Sequence, residues 1–238
     1  MSITSPTSRP STAVIPPLQP GDRLTAAEFQ RRAEQMPEGV KVELIEGTVY
    51  MPPPVFEEHH GSPHVALITW LGAYWAATPG VVPADNTSLR LDLDNVPQPD
   101  AYLRVLETHG GRSRRAPDGY VDGPPELIAE IAASSASRDL HDKLNAYRRN
   151  GVSEYLVWRT YDVAIDWFAL RGGRYLPLSA GSDGILRSEV FPGLWLDQIA
   201  LLRSDISAVL RVLQQGLTTP EHDAFVSRLQ RANGTPHA

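Results

Sequence analysis

Leu127-Ile128-Ala129-Glu130-Ile131-Ala132-Ala133 is apolar at every position but one. A strand with one face in water alternates apolar and polar residues. A strand without that alternation is covered on both faces. The segment therefore predicts a central strand, and with it a sheet layered between other elements. Glu130 then lies in or beside the core. A carboxylate removed from water is costly unless it meets a cation, a proton or a metal.

The rest of the chain supplies the layers. Thr25 and Glu28 have capping-box spacing and open a helix that runs to near Pro37. "VKVELIEGTVYM" reads as a hairpin turning at Glu46-Gly47. "HVALITWLGAYWAAT", from His64, has the spacing of a buried helix. "GVVPADNTSLRLDL" and "QPDAYLRVL" read as strands, and residues 107–123 as a polar loop. A strand over 126–133, a helix over 137–149 and a strand over 153–159 follow. Next come a hairpin through Gly172-Gly173, a short segment and a closing helix. This order indicates an α/β or α+β mixed sheet. Residues 1–20, rich in Ser, Thr and Pro, read as a disordered tail. Residues 21–215 form one domain, and 216–238 are expected to be weakly structured.

Charge narrows the function classes. The 238 residues carry 22 Lys and Arg against 28 Asp and Glu, a net charge of −6. A protein that coats DNA would be basic; an enzyme acting locally on nucleic acid need not be. With no cysteine there is neither a disulfide framework nor a thiolate metal site. No apolar run reaches the roughly 18–20 residues of a membrane helix, and no secretory signal pattern opens the chain. The expectation is a cytoplasmic protein with no membrane partner. No G-x-S-x-G elbow, P-loop or dinucleotide fingerprint is present.

The chemistry concentrates on four charges. On the helix after the Glu130 strand, Leu140, Leu144 and Tyr147 form an apolar stripe, and Lys143 lies about 60° from its centre. A lysine stem buries readily while its head reaches a polar spot, and Asp139, one turn earlier, can pair with it. Strand alternation puts Asp100, Tyr102 and Arg104 on one face. Glu43 sits among β-forming residues in the hairpin. Singly, each charge reads as a solvent-facing residue or an ion-pair partner. Structural charges need not fall on core-facing positions four times over. Together they suggest metal-assisted phosphodiester hydrolysis, in which Mg²⁺ takes hard oxygen ligands and lysine orients water or stabilises developing charge.

"VELIEG", "PQPDAYL", "PPELIAEIAASS" and "RDLHDKLNAYRRNGVSEYLV" resemble the bacterial Uma-two family of restriction endonucleases, within the PD-(D/E)XK nuclease superfamily. The resemblance covers roughly residues 22–200. It implies a restriction-endonuclease-like fold, here with an added N-terminal helix and hairpin. Pro99-Asp100 would be the PD half-motif and Glu130 the second acid. The superfamily lysine usually stands two residues after that acid, where this chain has Ala132. The family pattern supplies one from the next helix, here Lys143. Catalytic Asp100, Glu130 and Lys143 follow, with Glu43, Asp100, Glu130 and the Ile131 carbonyl as metal ligands. The implied cofactor is Mg²⁺, or Mn²⁺; the implied substrate is DNA, and the implied assembly a homodimer.

Other features weigh less. His59, His60 and His64 have i, i+4 and i, i+5 spacings but no evident fourth zinc ligand, and read as helix-start residues. His59 or His60 can border the cleft. Arg112, Arg114 and Arg115 are candidate phosphate contacts, or simply a solvated loop. Two further functions stay open: a non-catalytic scaffold, binding nucleic acid or protein, in which Lys143 neutralises Glu130 directly, and a metal-dependent hydrolase of another phosphate ester.

Overall fold

The computed structural model describes residues 15–37 and 39–234. Helix α1 (Ala26–Ala33) opens where the Thr25 hydroxyl accepts the Glu28 N–H at 3.4 Å, the cap its sequence predicts. Strands β1 (Glu43–Ile45) and β2 (Thr48–Tyr50) form the expected hairpin. Glu46 and Gly47 turn it, both at positive φ (51° and 70°), as a two-residue turn matching strand twist requires. A π turn (Glu57–Gly61) leads into α2 (Ser62–Ala77), which begins with proline in its first turn.

Then come β3 (Val81–Asp85), β4 (Leu89–Arg90), β5 (Ala101–Val105), β6 (Arg114–Arg115), β7 (Val121–Asp122) and β8 (Leu127–Ala132). The expected helix after β8 is a continuous helical run in three parts: α3 (Ala136–Arg138), a π turn (Asp139–Lys143) and α4 (Leu144–Arg149). It carries the chain over to β9 (Glu154–Arg159), which pairs parallel with β8. A parallel pair needs such a crossover. Strands β10 (Ala164–Arg171) and β11 (Arg174–Pro177) form the second expected hairpin. Strands β12 (Ile185–Arg187) and β13 (Trp195–Asp197) and helices α5 (Gln198–Leu202), α6 (Ile206–Leu217) and α7 (Pro220–Asn233) follow.

The main sheet has six strands in the order β11-β10-β9-β8-β5-β3. Only the β8–β9 pair is parallel, so the sheet is mixed. All six residues of β8 are buried, as its unbroken apolar run predicts. Residues alternate between two cores. Leu127, Ala129 and Ile131 face one built with α2, α6 and α7. Ile128 and Ala132 face a smaller one with Tyr147 and Tyr155, under the crossover helix. Glu130 shares this second face by alternation.

At the C-terminal end the structure departs from expectation. The segment expected to be weakly structured carries α7, whose Phe225 and Leu229 are buried in the larger core. Thr219 caps it and Pro220 takes its first turn, both favourable at a helix start. The disordered-tail expectation for residues 1–14 lies outside the described residues. Within 15–20, Leu18 is 2% exposed and packs with Phe29 and Leu44. Among the described residues no helix is long and apolar enough to cross a membrane.

Candidate active site

The antiparallel register of β5 and β8 pairs Ala101 with Ala129. One residue further, at the end of the paired region, Asp100 stands opposite Glu130. The two acids are tied by the backbone. The Ile131 N–H donates to Asp100 Oδ2 at 2.8 Å, and the Asp100 N–H to Glu130 Oε2 at 3.4 Å. Asp100 is 4% exposed and Glu130 2%.

The β1–β2 hairpin brings Glu43, fully buried, to the same place; Glu43 Oε1 accepts the Gln98 N–H at 2.9 Å. The crossover helix brings Lys143. Its Nζ lies 2.9 Å from Glu43 Oε1, 2.9 Å from Glu130 Oε1 and 3.8 Å from Asp139 Oδ1. The straight-helix period put Lys143 at the edge of the apolar stripe; in the structure it is 2% exposed. The buried face of this run is Asp139, Lys143, Ala146 and Tyr147, one step round from the expected stripe, whose Leu140 and Leu144 are only half-buried. The Tyr147 hydroxyl, at the next turn, donates to Glu130 Oε1 at 2.8 Å.

Lys41 and His60 approach Asp100 from the open side. Lys41 Nζ is 3.1 Å and His60 Nε2 3.2 Å from Asp100 Oδ1. His64 Nε2 lies 2.9 Å from the Asp100 carbonyl. Lys41 was not singled out in the sequence, although it stands two residues before Glu43 and shares its face in an extended segment. His59 also lines the cavity, as expected of a cleft-bordering residue.

Glu43, Asp100, Glu130, Asp139 and Lys143 form the floor of a cavity of about 590 Å³, lined further by Lys41, His60, Arg138 and Met51–Phe56. The arginine cluster is corrected: Arg112, Arg114 and Arg115 do not line it. Arg112 Nε pairs with Glu126 at 3.7 Å, just before the opposite end of β8, and Arg114 Nε with Asp122 at 3.5 Å. Arg115 is an exposed residue of β6. Arg114 and Arg115 belong to a small three-stranded sheet of β4, β7 and β6, and Arg112 lies in the loop just before β6.

Burial and charge oppose each other here. Burial pushes Glu130 above the usual carboxylate range, with Asp100, Asp139 and Glu43 adding to it against the pull of Lys143. Burial also raises Asp139. Burial alone would raise Glu43 and Asp100 too. Lys143 and Lys41 outweigh it at Glu43, and the His60 hydrogen bond and Lys41 at Asp100, so both are held low. Burial alone would lower Lys143; Glu130, Glu43 and Asp139 outweigh it and hold the ammonium charged.

The donor set suits a hard divalent cation. Four carboxyl groups meet two ammonium groups; Glu43 and Asp100 are held ionised, while burial raises Glu130 and Asp139, which a bound cation would favour in their ionised form. Glu43 Oε2 and Asp139 Oδ1 are buried without a hydrogen-bond partner. Mg²⁺ prefers oxygen ligands of this kind. The fit is one of donor type alone: among the described residues no three acidic or histidine side chains stand in a metal-ligating arrangement.

Residues 26–200 match the model of the Uma2 family, described as "Putative restriction endonuclease". Among solved structures, one similar in fold is described as "a putative nuclease belonging to DUF820" from Anabaena variabilis ATCC 29413. It aligns with TM-score 0.54 and 11% identity over 77% of this chain and 97% of that one, a likeness of fold. The mixed α/β architecture agrees with the fold class expected from the sequence. No curated protein matches the chain.

Proposed function

Because the chain belongs to the Uma2 family, we propose that it is a metal-dependent endonuclease hydrolysing phosphodiester bonds in DNA. One observation carries the reading. Asp100 and Glu130, from adjacent strands, meet Lys143 on the floor of one open cavity. Asp100, Glu130, the Ile131 carbonyl and Glu43 would hold Mg²⁺ or Mn²⁺. The bound ion would polarise the phosphate and lower the pKa of its water. The chain's own groups do the rest. Lys143 keeps Glu43 and Glu130 together and offsets their charge. His60 and His64 fix Asp100 from its carboxylate and carbonyl sides. Lys41 and Arg138, on the cavity wall, attract the phosphate.

A second reading has its own support. The direct Lys143–Glu130 contact of 2.9 Å is what a charge-neutralised, non-catalytic scaffold would show. Calorimetric titration with Mg²⁺ and Mn²⁺, with and without DNA, separates the two. The nuclease reading expects binding in the wild type, its loss in Asp100→Asn and Glu130→Gln, and cleavage of DNA only where metal binds. No metal uptake even with DNA present would leave the scaffold standing and end the nuclease reading.

A further inference from the structure

The floor of the cavity is charged, but its mouth is apolar and aromatic. Phe56 is 73% exposed and Tyr161 57%, and both line the opening with Val55. Large apolar side chains left this open, beside a charged floor, mark a binding surface. Their positions are held from behind. The Thr160 hydroxyl donates to the His59 carbonyl at 2.9 Å, clamping the π turn after Phe56 to the β9–β10 connection that carries Tyr161. The His59 and Tyr161 rings lie 4.5 Å apart at 57°. On the cavity wall, Arg138 stacks its guanidinium 5.1 Å from the Tyr50 ring centre, and its buried Nε donates to no group.

We infer that Phe56 and Tyr161 are a base-stacking subsite, and that the cavity takes an unpaired nucleotide of a single strand, with its phosphate toward Arg138 and Lys41. The inference rests on the nuclease reading and narrows its substrate. In a duplex the faces of the bases are covered by their stacked neighbours, so exposed rings can stack only on a base outside the stack. A duplex is instead gripped by a track of basic residues along its phosphates. The chain carries a net charge of −6, and among the described residues the cations lining the cavity are Lys41, Arg138 and Lys143, with Arg112, Arg114 and Arg115 outside it. The 590 Å³ of the cavity falls within the roughly 300–1,000 Å³ of small-ligand sites.

The test measures binding apart from chemistry. Fluorescence anisotropy of the full chain in EDTA, at fixed salt, would compare three labelled probes: oligothymidine and oligouridine of about 12 nucleotides, within the usual footprint of single-strand binders, and a mixed-sequence DNA duplex of the same length. Cleavage of the same probes would then be followed in Mg²⁺ and Mn²⁺. A single strand should bind roughly tenfold or more tightly than the duplex, by about 1.4 kcal/mol. Phe56→Ala and Tyr161→Ala should each weaken that binding roughly 5- to 150-fold, the worth of one base stack. Both side chains are largely in solvent, so the fold should survive their loss. Trp75→Ala, another exposed ring outside the cavity, should change nothing.

The outcomes separate the two readings. Duplex bound at least as tightly as single strand, and indifferent to Phe56 and Tyr161, overturns the subsite; persisting cleavage then leaves the nuclease standing. Single-strand binding that depends on both rings, without cleavage in either metal, supports the subsite and removes the hydrolytic reading. Binding of no probe, with no cleavage, overturns both. A fourth probe, oligodeoxyuridine, which differs from oligouridine only at the 2′-hydroxyl and from oligothymidine only at the base methyl, assigns any preference between the two arms to sugar or base.

Discussion

Buried carboxylates stand at both ends of the parallel strands β8 and β9, and the two ends are built differently. At the starting end, Glu154 is fully buried. It accepts the Ser188 hydroxyl at 2.8 Å and the Glu189 and Val190 N–H groups at 2.6 and 3.2 Å. Glu126, beside it, accepts the Val105 N–H at 2.8 Å. At the other end Glu130, equally buried, shares one lysine with Glu43 and Asp139 above an open cavity. Burial is the same, so burial does not mark the site. Backbone N–H groups are fixed in number and position and leave a carboxylate no freedom. Acids competing for one ammonium, with carboxylate oxygens unpartnered and space beside them, can take another cation or a phosphate-bearing ligand. Glu43, Asp100 and Glu130 each accept a backbone N–H as well, so the difference between the ends lies in the shared ammonium and the open space beside it.

The comparison breaks most visibly at Lys143. Its replacement by methionine keeps the stem's volume and strands three buried carboxylates without their shared cation. Removing one partner of a buried ion pair costs about 3–5 kcal/mol. Urea unfolding of Lys143→Met in EDTA should show a loss of that size at neutral pH. A loss below roughly 1 kcal/mol, the range of surface pairs, would mean that the acids do not depend on that cation, and that the two ends are alike after all.

That dependence was only partly legible in the sequence. The two-sided run around Glu130 announced the central strand, and Thr25, Glu28 and Glu46-Gly47 announced a cap and a turn, because these signals are local. Asp100 and Glu130 are thirty positions apart, and their facing register is a property of the sheet, which periodicity within one strand does not contain. Resemblance to a family supplied that pair instead. The depth of Lys143 was missed because the apolar stripe was centred on Leu140 and Leu144, whereas the buried face runs through Asp139, Lys143, Ala146 and Tyr147. Lys41 was visible between Val40 and Val42, two residues before Glu43, but a single lysine in a hairpin strand reads as solvent-facing. The arginine cluster misled for the opposite reason, being adjacent in sequence and remote from the cavity. At the C-terminus, Thr219 and Pro220 were a legible helix start that weak patterning after them obscured.

The starting end of the strands makes a prediction about pH. Burial, with the Glu189 charge adding to it, pushes Glu154 up to about 7, although the Ser188, Glu189 and Val190 bonds pull the other way. A carboxyl raised in the folded state binds its proton more tightly there than when unfolded. Its contribution is therefore full below the unfolded value near 4.5 and is lost as pH rises to about 7. At 1.36 kcal/mol per unit the loss is on the order of 3 kcal/mol. Glu154→Gln keeps an acceptor for the N–H groups and does not titrate. Stability measured against pH should fall in the wild type relative to this variant between those limits and run parallel outside them. Parallel curves throughout would show that the N–H groups hold Glu154 ionised, and that they substitute fully for a cation.

The smallest effect expected is at Arg112, and it tests which end meets the substrate. Its side chain is 45% exposed and reaches Glu126 Oε1 only at 3.7 Å, while its guanidinium donates to the Ser153 hydroxyl at 2.8 Å. An exposed pair of this kind contributes about 0–1 kcal/mol. Arg112→Ala should shift the unfolding midpoint barely, and should leave nucleic-acid affinity and its salt dependence unchanged, because the residue lies off the cavity. Arg138→Ala, on the cavity wall, should weaken binding and flatten the salt slope by about one unit, as removal of one phosphate contact does. If Arg112→Ala flattened that slope and Arg138→Ala did not, substrate would meet the end of the sheet where backbone donors already satisfy the acids, and the acid cluster around Lys143 would be structural.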